Sequence, residues 1–154
     1  MVRHIHDALY AAKIISYAQG FQLLQDAAKA YGWPLEYGNL AKIWRGGCII
    51  RSRFLNNIRL AYANDANLPN LLADPFFRTE IQHHLPGWRS ALQFAIGAGI
   101  PTPALSSALA WFDGYRSATL PANLVQAQRD FFGAHTYERT DRPRGEFFHT
   151  DWQS

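Results

Sequence analysis

Apolar side chains near the start of the chain recur at steps of three and four residues, which is the spacing of one face of an α-helix. The members of this stripe are Leu9, Ile14, Ala18, Phe21, Leu24 and Ala28. Gly32 and Pro34 follow, and both residue types end helices. The pattern predicts one long helix over residues 7–31.

The next stretch combines short apolar runs with glycine. A short helix is predicted over residues 40–44, and Gly46-Gly47 ends it. A third helix is predicted over residues 49–63, because its apolar residues again fall on one stripe. That stripe comprises Ile50, Phe54, Ile58 and Tyr62. The polar residues 64–67 form a predicted loop.

The pair Asp74-Pro75 marks another helix start, because aspartate caps helices and proline is favoured in the first turn. The helix is predicted to run until Pro86 interrupts it near His84, since proline lacks the backbone N–H that a helix interior requires. A separate helix is predicted over residues 88–98.

Two further proline pairs divide the rest of the helical region. Thr102-Pro103 introduces a predicted helix over residues 104–117. Leu120-Pro121 opens the last helix, which is predicted to reach Phe132, with Gly133 as its C-cap residue. Strand signals are weak throughout, so the sequence predicts an all-α, multi-helix fold.

Beyond Ala134 the chain becomes polar, and it closes on the aromatic residues Phe147, Phe148 and Trp152. Each large apolar side chain forgoes about 1.5 to 3 kcal/mol if it stays in water. We therefore expect a helical domain over residues 1–134 and an extended tail over 135–154 that docks on its own domain or on a partner subunit.

Composition is that of one water-soluble domain: 48% of the 154 residues are hydrophobic. There is no run of about 20 apolar residues, which a membrane-spanning helix needs. The single cysteine, Cys48, has no partner for an intramolecular disulfide. These features predict a cytoplasmic protein that does not bind a membrane.

Arginine accounts for twelve of the fifteen Lys and Arg residues, and the net charge is +3. Guanidinium groups pair geometrically with carboxylates or phosphates. This bias favours a phosphorylated small molecule or internal ion pairs over a broad nucleic-acid surface. Arg45, Arg51 and Arg53 are interpreted as a solvated face, because the neighbouring aromatic residues fall on predicted core stripes.

Motifs for metal, coenzyme or nucleophilic chemistry are incomplete. The histidines at 4, 6, 83 and 84 lack the i, i+4 spacing of a helical metal site and are expected at the surface. GAGIPT, residues 97–102, follows a predicted helix rather than a strand, so it is interpreted as an interhelical turn. Cys48 has no activating base beside it in the sequence.

RDFFGAH, residues 129–135, brackets two phenylalanines and a Gly-Ala with an arginine and a histidine. If the last helix ends at Phe132, Arg129 lies in its final turn and His135 lies just past its end. Both side chains could then bind a phosphate or carboxylate. Basic residues near a helix C-terminus also complement the helix dipole, and Asp130 could pair with a neighbouring arginine, so both interpretations stand.

Several longer segments resemble one family. They are ALYAAKIISYAQGFQLL, YGWPLEYGNLAKIWRGGCIIRSRFL, FDGYRSATLPANLVQAQRDFFGAHTYER and FHTDW. In these segments the chain resembles the C-terminal helical region of 6-phosphogluconate dehydrogenase, the NADP-dependent decarboxylating enzyme of the pentose phosphate pathway. The resemblance spans essentially the whole chain and about the last third of the family's usual polypeptide.

The resemblance implies specific roles for the C-terminal residues. In the family, an arginine and a histidine of the motif RDxFGAH bind the substrate phosphate in the active site of the other subunit, and they match Arg129 and His135. It also implies a homodimer built through these helices, with a tail that threads through the neighbouring subunit.

The same resemblance implies that the coenzyme-binding domain and the catalytic Lys and Glu have no counterpart here, so we expect the isolated chain to be inactive. A non-catalytic dimerisation and phosphosugar-binding module, or one chain of a split enzyme, remain alternatives.

Overall fold

The computed structural model describes residues 1–50 and 52–152. The described residues form six α-helices and no β-strand, which confirms the predicted all-α class. The helices are α1 (Val2–Tyr31), α2 (Tyr37–Ile43), α3 (Leu55–Asn64), α4 (Pro75–Gly97), α5 (Pro103–Tyr115) and α6 (Ala122–Gly133). One turn of 3-10 helix, Leu71–Ala73, precedes α4. Arg51 of the arginine cluster and tail residues 153 and 154 lie outside the described residues.

The chain forms two compact units, Met1–Phe112 and Asp113–Ser154. The first contains α1 to α4 and most of α5, and the second contains α6 with the segment that follows it. The sequence predicted a different division, a helical domain over residues 1–134 and a tail over 135–154 that docks on a partner subunit. That division stays a prediction.

The first unit is built on packing of α1 against α4. Its largest fully buried side chains are Phe21, Phe54, Phe77 and Trp88. The predicted long helix is confirmed, although its buried face runs through Ala8, Ala11 and Ile15, and Leu9 of the predicted stripe is 58% exposed. Gly32 ends α1 in the left-handed conformation, with φ 68°, as its position predicted.

Helix α4 runs through Pro86 without a break, so the predicted interruption near His84 is wrong. Proline in a helix interior costs about 3 kcal/mol, through one lost hydrogen bond and a clash with the preceding turn. The two halves of α4 repay that cost, because both bury large side chains in the same core at about 1.5 to 3 kcal/mol each. These side chains are Phe77 and Ile81 before the proline, and Trp88 and Leu92 after it.

The third helix begins at Leu55 and not at Ile49, so the predicted start of this helix is wrong. Ile50, expected in the core, is 42% exposed, whereas Phe54, Ile58 and Tyr62 are buried as predicted. The hydroxyl of Tyr17 donates a hydrogen bond to the carbonyl of Ile50. This carbonyl would accept an N–H group four residues on in a helix, so the Tyr17 contact favours the non-helical backbone.

A polar contact joins α1 to α4. Asp7 Oδ1 lies 2.8 Å from His84 Nδ1, and both side chains are largely buried, 11% and 13% exposed. The expectation that His84 is a surface histidine is therefore wrong. Sequence spacing could not reveal this, because the two residues lie 77 positions apart.

Gly87 provides the space for this close approach. A Cβ atom on Gly87 would lie 2.1 Å from Asp7 Oδ2 and 2.8 Å from Asp7 Cβ. The glycine therefore lets α1 and α4 pack closely at the level of the Asp7–His84 contact.

The starts of the later helices agree with the proline pairs. Asp74 Oδ1 accepts hydrogen bonds from the backbone N–H groups of Phe76 and Phe77, and Pro75 occupies the first turn of α4. Pro103 begins α5, so the GAGIPT segment is the predicted turn between α4 and α5.

Candidate functional site

The C-terminal end of α6 carries the two residues singled out from the sequence. Gly133 is the last helical residue, and Ala134 adopts the left-handed conformation with φ 50°, so the predicted C-cap role of Gly133 is wrong. The missing side chain of Gly133 has another effect: a Cβ atom there would lie 2.9 Å from His135 Nε2, so the imidazole ring would have to move. The absence of a side chain at this position lets the imidazole ring lie against the helix end.

Arg129 and His135 are both exposed at this end of α6. Arg129 Nη1 donates to Gln126 Oε1 at 3.1 Å, and Gln126 Nε2 donates to the carbonyl of Thr136. One amide therefore contacts both Arg129 and the residue that follows His135. Within the described residues, neither side chain forms an ion pair with a carboxylate, so the N–H donors that they do not use can bind an anion.

One interpretation of the motif proposed that Asp130 pairs with a neighbouring arginine. The structure shows other partners for Asp130 instead. Its side chain is fully buried, and both oxygens accept hydrogen bonds. Oδ1 accepts from the backbone N–H of Thr136 at 2.9 Å and lies 2.9 Å from His149 Nδ1. Oδ2 accepts from the backbone N–H of Thr150 and from Trp152 Nε1, each at 3.0 Å. One carboxylate thus binds four donors from the segment after α6.

The charge of Asp130 is stabilised by these donors. Burial alone would raise the pKa of the Asp130 carboxyl, but hydrogen bonds from Thr150, His149, Trp152 and Thr136 outweigh it and lower the pKa to about 2. Asp130 is therefore ionised at neutral pH, although it has no contact with solvent.

The tail folds back on itself after His135. Tyr137 and Phe148 pair through two backbone hydrogen bonds of 2.9 and 2.8 Å in an isolated antiparallel bridge. The Tyr137 hydroxyl lies 2.6 Å from Thr150 Oγ1, and the Arg139 guanidinium lies 5.6 Å from the centre of the Phe148 ring. The tail of this chain therefore contacts α6 and its own first residues. Docking on a partner subunit stays a prediction.

An open cavity of about 830 Å³ lies between α6 and the folded-back tail. Its wall includes the imidazole of His135 and the cationic side chains Arg139 and Arg144. Arg139 pairs with Asp141 at 2.6 Å and Arg144 pairs with Glu138 at 2.9 Å, whereas His135 has no acidic partner among the described residues. Arg129 does not line this cavity.

Sequence reasoning missed Gln126 and Asp130 as parts of this site. A signal for Asp130 was present, because an acidic residue in the last turn of a helix opposes the helix dipole and requires a specific partner. Its partners could not be identified from spacing, since three of them lie 19 to 22 positions further along the chain.

Several large apolar side chains of the second unit are exposed. Phe132 is 74% exposed and Phe147 is 68% exposed. The other exposed large apolar side chains described in this unit are Tyr115, Leu120, Leu124, Val125, Phe131 and Trp152. Large exposed apolar side chains are typical of surfaces that contact another protein.

The described residues thus form a helical domain that exposes an arginine and a histidine at one helix end, beside a buried carboxylate. Residues 1–152 match the family described as "6-phosphogluconate dehydrogenase, C-terminal domain". The chain belongs to this family, which confirms the resemblance of its motifs.

Individual relatives agree with this assignment. The chain is 59% identical over 152 residues to the decarboxylating 6-phosphogluconate dehydrogenase of Treponema pallidum, and 55% identical over 148 residues to that of Ovis aries. These matches cover 99% and 96% of this chain but only 31% and 30% of the two relatives. The chain thus spans about a third of their length, and it corresponds to the C-terminal portion of such enzymes. The alternatives, a non-catalytic dimerisation and phosphosugar-binding module or one chain of a split enzyme, are not favoured.

A solved structure of Plasmodium falciparum 6-phosphogluconate dehydrogenase matches the fold with a TM-score of 0.90 and 48% identity. The match covers 97% of this chain and 32% of that one. The Plasmodium protein is described in its apo form, with its cofactor NADP+ and with its substrate 6-phosphogluconate.

The described residues of this chain do not fit NADP as a complete site, because they contain no strand followed by a glycine-rich turn. No helix among them is long and apolar enough to cross a membrane.

Proposed function

We propose that this chain acts as the C-terminal part of an NADP-dependent 6-phosphogluconate dehydrogenase, which oxidatively decarboxylates 6-phosphogluconate to ribulose 5-phosphate in the cytoplasm. Its own contribution is to bind the substrate phosphate through Arg129 and His135. The observation that carries the proposal is the exposure of both side chains at one helix end, without a carboxylate partner among the described residues.

The chemistry of the two side chains supports this role. A guanidinium offers a fork of N–H donors that matches phosphate oxygens, and charge-assisted hydrogen bonds of this kind are about twice as strong as neutral ones. Gln126 supports the Arg129 guanidinium through Nη1, and the remaining guanidinium donors can bind substrate. Binding the phosphate fixes one end of the sugar acid, so that its reacting carbons are oriented for chemistry elsewhere in the enzyme.

The remaining chemistry requires other parts of the enzyme. The nicotinamide coenzyme supplies hydride acceptance when it is bound, and the described residues provide no fold for it. The role of this chain is therefore binding and orientation, and we expect the isolated chain to have no turnover.

The exposed apolar surface supports a homodimer in which Arg129 and His135 complete the partner's active site. Phe132 and Phe147 would be covered in such a dimer. An obligate interface of this type buries more than about 2,000 Å² in total. Formation of the dimer would thus remove these exposed phenylalanine rings from water.

The test uses a full-length dehydrogenase that carries this chain as its C-terminal part. Arg129→Ala should raise KM for 6-phosphogluconate about ten- to a hundredfold, because loss of a charge-assisted contact costs about 1.5 to 3 kcal/mol. His135→Ala should act in the same direction, and the two effects should be less than additive if both residues bind one phosphate. An unchanged KM in the double variant would overturn the proposal.

A further inference from the structure

The buried carboxylate of Asp130 is adjacent to the proposed phosphate ligands, yet it faces away from solvent. All four of its donors come from two short stretches after α6. Thr136, the first donor, directly follows His135. The other three, His149, Thr150 and Trp152, lie near the end of the tail.

The backbone around His135 has an unusual conformation that Asp130 holds in place. Ala134 and Thr136, on either side of His135, have positive φ angles of 50° and 59°, which residues with a side chain rarely adopt. Asp130 contacts both of them: its backbone carbonyl accepts from Ala134 N at 2.8 Å, and its Oδ1 accepts from Thr136 N at 2.9 Å. The conformation that orients His135 therefore depends on Asp130.

We propose that Asp130 is a positioning residue that holds His135 in its phosphate-binding orientation, and that it does so only when the end of the tail is docked. This inference rests on the proposed function. Each carboxylate oxygen forms two hydrogen bonds: Oδ1 binds Thr136 of the turn and His149 of the tail, and Oδ2 binds Thr150 and Trp152 of the tail. If the tail donors leave, Oδ2 loses both its partners and water enters, so the carboxylate no longer has a fixed orientation from which to hold Thr136.

Direct contact of Asp130 with substrate is excluded by the same geometry. Its side chain has no exposed surface, and its oxygens already accept four hydrogen bonds. It can therefore act on the substrate only through His135 and the turn.

The experiment measures steady-state kinetics in the full-length dehydrogenase that carries this chain. Asp130→Asn keeps the shape but places an N–H₂ group opposite two donors, so we expect KM for 6-phosphogluconate to rise about tenfold. We expect kcat and KM for NADP to stay within about twofold of the values of the unchanged enzyme. The residues that carry out the chemistry and bind the coenzyme do not lie in this turn. Asp26→Asn, an exposed aspartate on α1, is the matched control and should change neither KM.

A second variant tests the tail contact separately. Trp152→Phe keeps an aromatic ring beside Phe131 but removes the N–H that donates to Asp130. It should raise KM for 6-phosphogluconate about two- to fivefold, and the double variant should be no worse than Asp130→Asn alone. This variant also keeps the proposal testable if Asp130→Asn does not fold.

The outcomes separate this inference from the proposed function. If Arg129→Ala raises KM but Trp152→Phe and a folded Asp130→Asn do not, the positioning role is wrong while the phosphate site stands. A fall in kcat together with an equal rise in KM for 6-phosphogluconate and for NADP would indicate general damage to the fold. That result would also overturn the positioning role. If Arg129→Ala has no effect on KM, the proposed function itself fails.

Discussion

The imidazole ring of His135 lies against Gly133, with Nε2 at 2.9 Å and Cδ2 at 3.1 Å from the position that a Cβ atom on Gly133 would occupy. Gly133 is helical, so alanine would be favoured there by about 1 kcal/mol of helix propensity. The glycine therefore makes the helix end less stable than alanine would, and it leaves room for the histidine ring.

Gly133→Ala should displace the His135 ring, because the added methyl group cannot share its space. We expect KM for 6-phosphogluconate in the full-length enzyme to rise severalfold, while thermal stability stays unchanged or increases by about 1 kcal/mol. Gly20→Ala on α1 is the control, since nothing lies within 4 Å of an added Cβ there. The control should gain stability without a change in KM. An unchanged KM in Gly133→Ala would mean that the ring position is unimportant for binding.

Gln126 joins Arg129 to the carbonyl of Thr136, so its removal should loosen both proposed phosphate ligands at once. Gln126→Ala should raise KM for 6-phosphogluconate about three- to tenfold through loss of two ordinary hydrogen bonds. Gln128→Ala, an exposed glutamine on the same helix, provides the control. Equal KM values for the two variants would exclude the bridging role of Gln126.

The depressed pKa of Asp130 makes tail docking sensitive to acid. Burial opposes ionisation of Asp130, but its hydrogen bonds lower the pKa to about 2, below the ordinary value of 3.8. A carboxyl with a lowered pKa stabilises the folded state at any pH above its ordinary pKa of 3.8. This stabilisation is lost as the pH falls from there towards 2. The fluorescence of Trp152, taken as the difference between the parent chain and its Trp152→Phe variant, should therefore change between about pH 4 and pH 2. In Asp130→Asn this transition should be absent; its persistence would assign the signal to another group.

The sequence predicted local features of the fold well and long-range features poorly. Asp74, Pro75 and Pro103 announced helix starts through the chemistry of the first turn, which involves only neighbouring residues. Pro86 misled the prediction, because the burial that keeps α4 intact comes from a core assembled by the whole unit. Tertiary packing overrode the local preference there.

The candidate site shows the same division. Arg129 and His135 were found through a short motif, whereas the partners of Asp130 lie up to 22 positions away and have no local signature. The cluster of Asp7 and His84 was missed for the same reason, since only packing of α1 on α4 brings the two residues together.

Gly87 should be essential for the packing of α1 on α4. In Gly87→Ala the new methyl group would lie 2.8 Å from Asp7 Cβ, an atom that cannot move away without a shift of helix α1. We expect a loss of about 1 to 3 kcal/mol and a fall in Tm of about 4 to 10 °C. Gly97→Ala, at the end of the same helix and with nothing within 4 Å, is the control. Circular dichroism melting of both variants measures the difference, and equal Tm values would show that the helices can separate at no cost.

The last prediction concerns which subunit uses Arg129 and His135. If both residues complete the partner's active site, a dimer that mixes two impaired chains should recover activity when it is assayed at a substrate concentration far below the raised KM. One chain would carry Arg129→Ala and His135→Ala, and the other would lack its catalytic lysine outside this chain. In the mixed dimer, one of the two sites then has an intact lysine from the first chain and an intact phosphate pair from the second. Random mixing in equal amounts gives half of the dimers as heterodimers, so we expect about a quarter of wild-type activity.

The measurement is turnover after joint refolding, with each mutant refolded alone as the control. Activity that stays at the level of the separate mutants would place the phosphate ligands and the lysine in the same subunit, and the exposed apolar surface around Phe132 and Phe147 would then need another occupant.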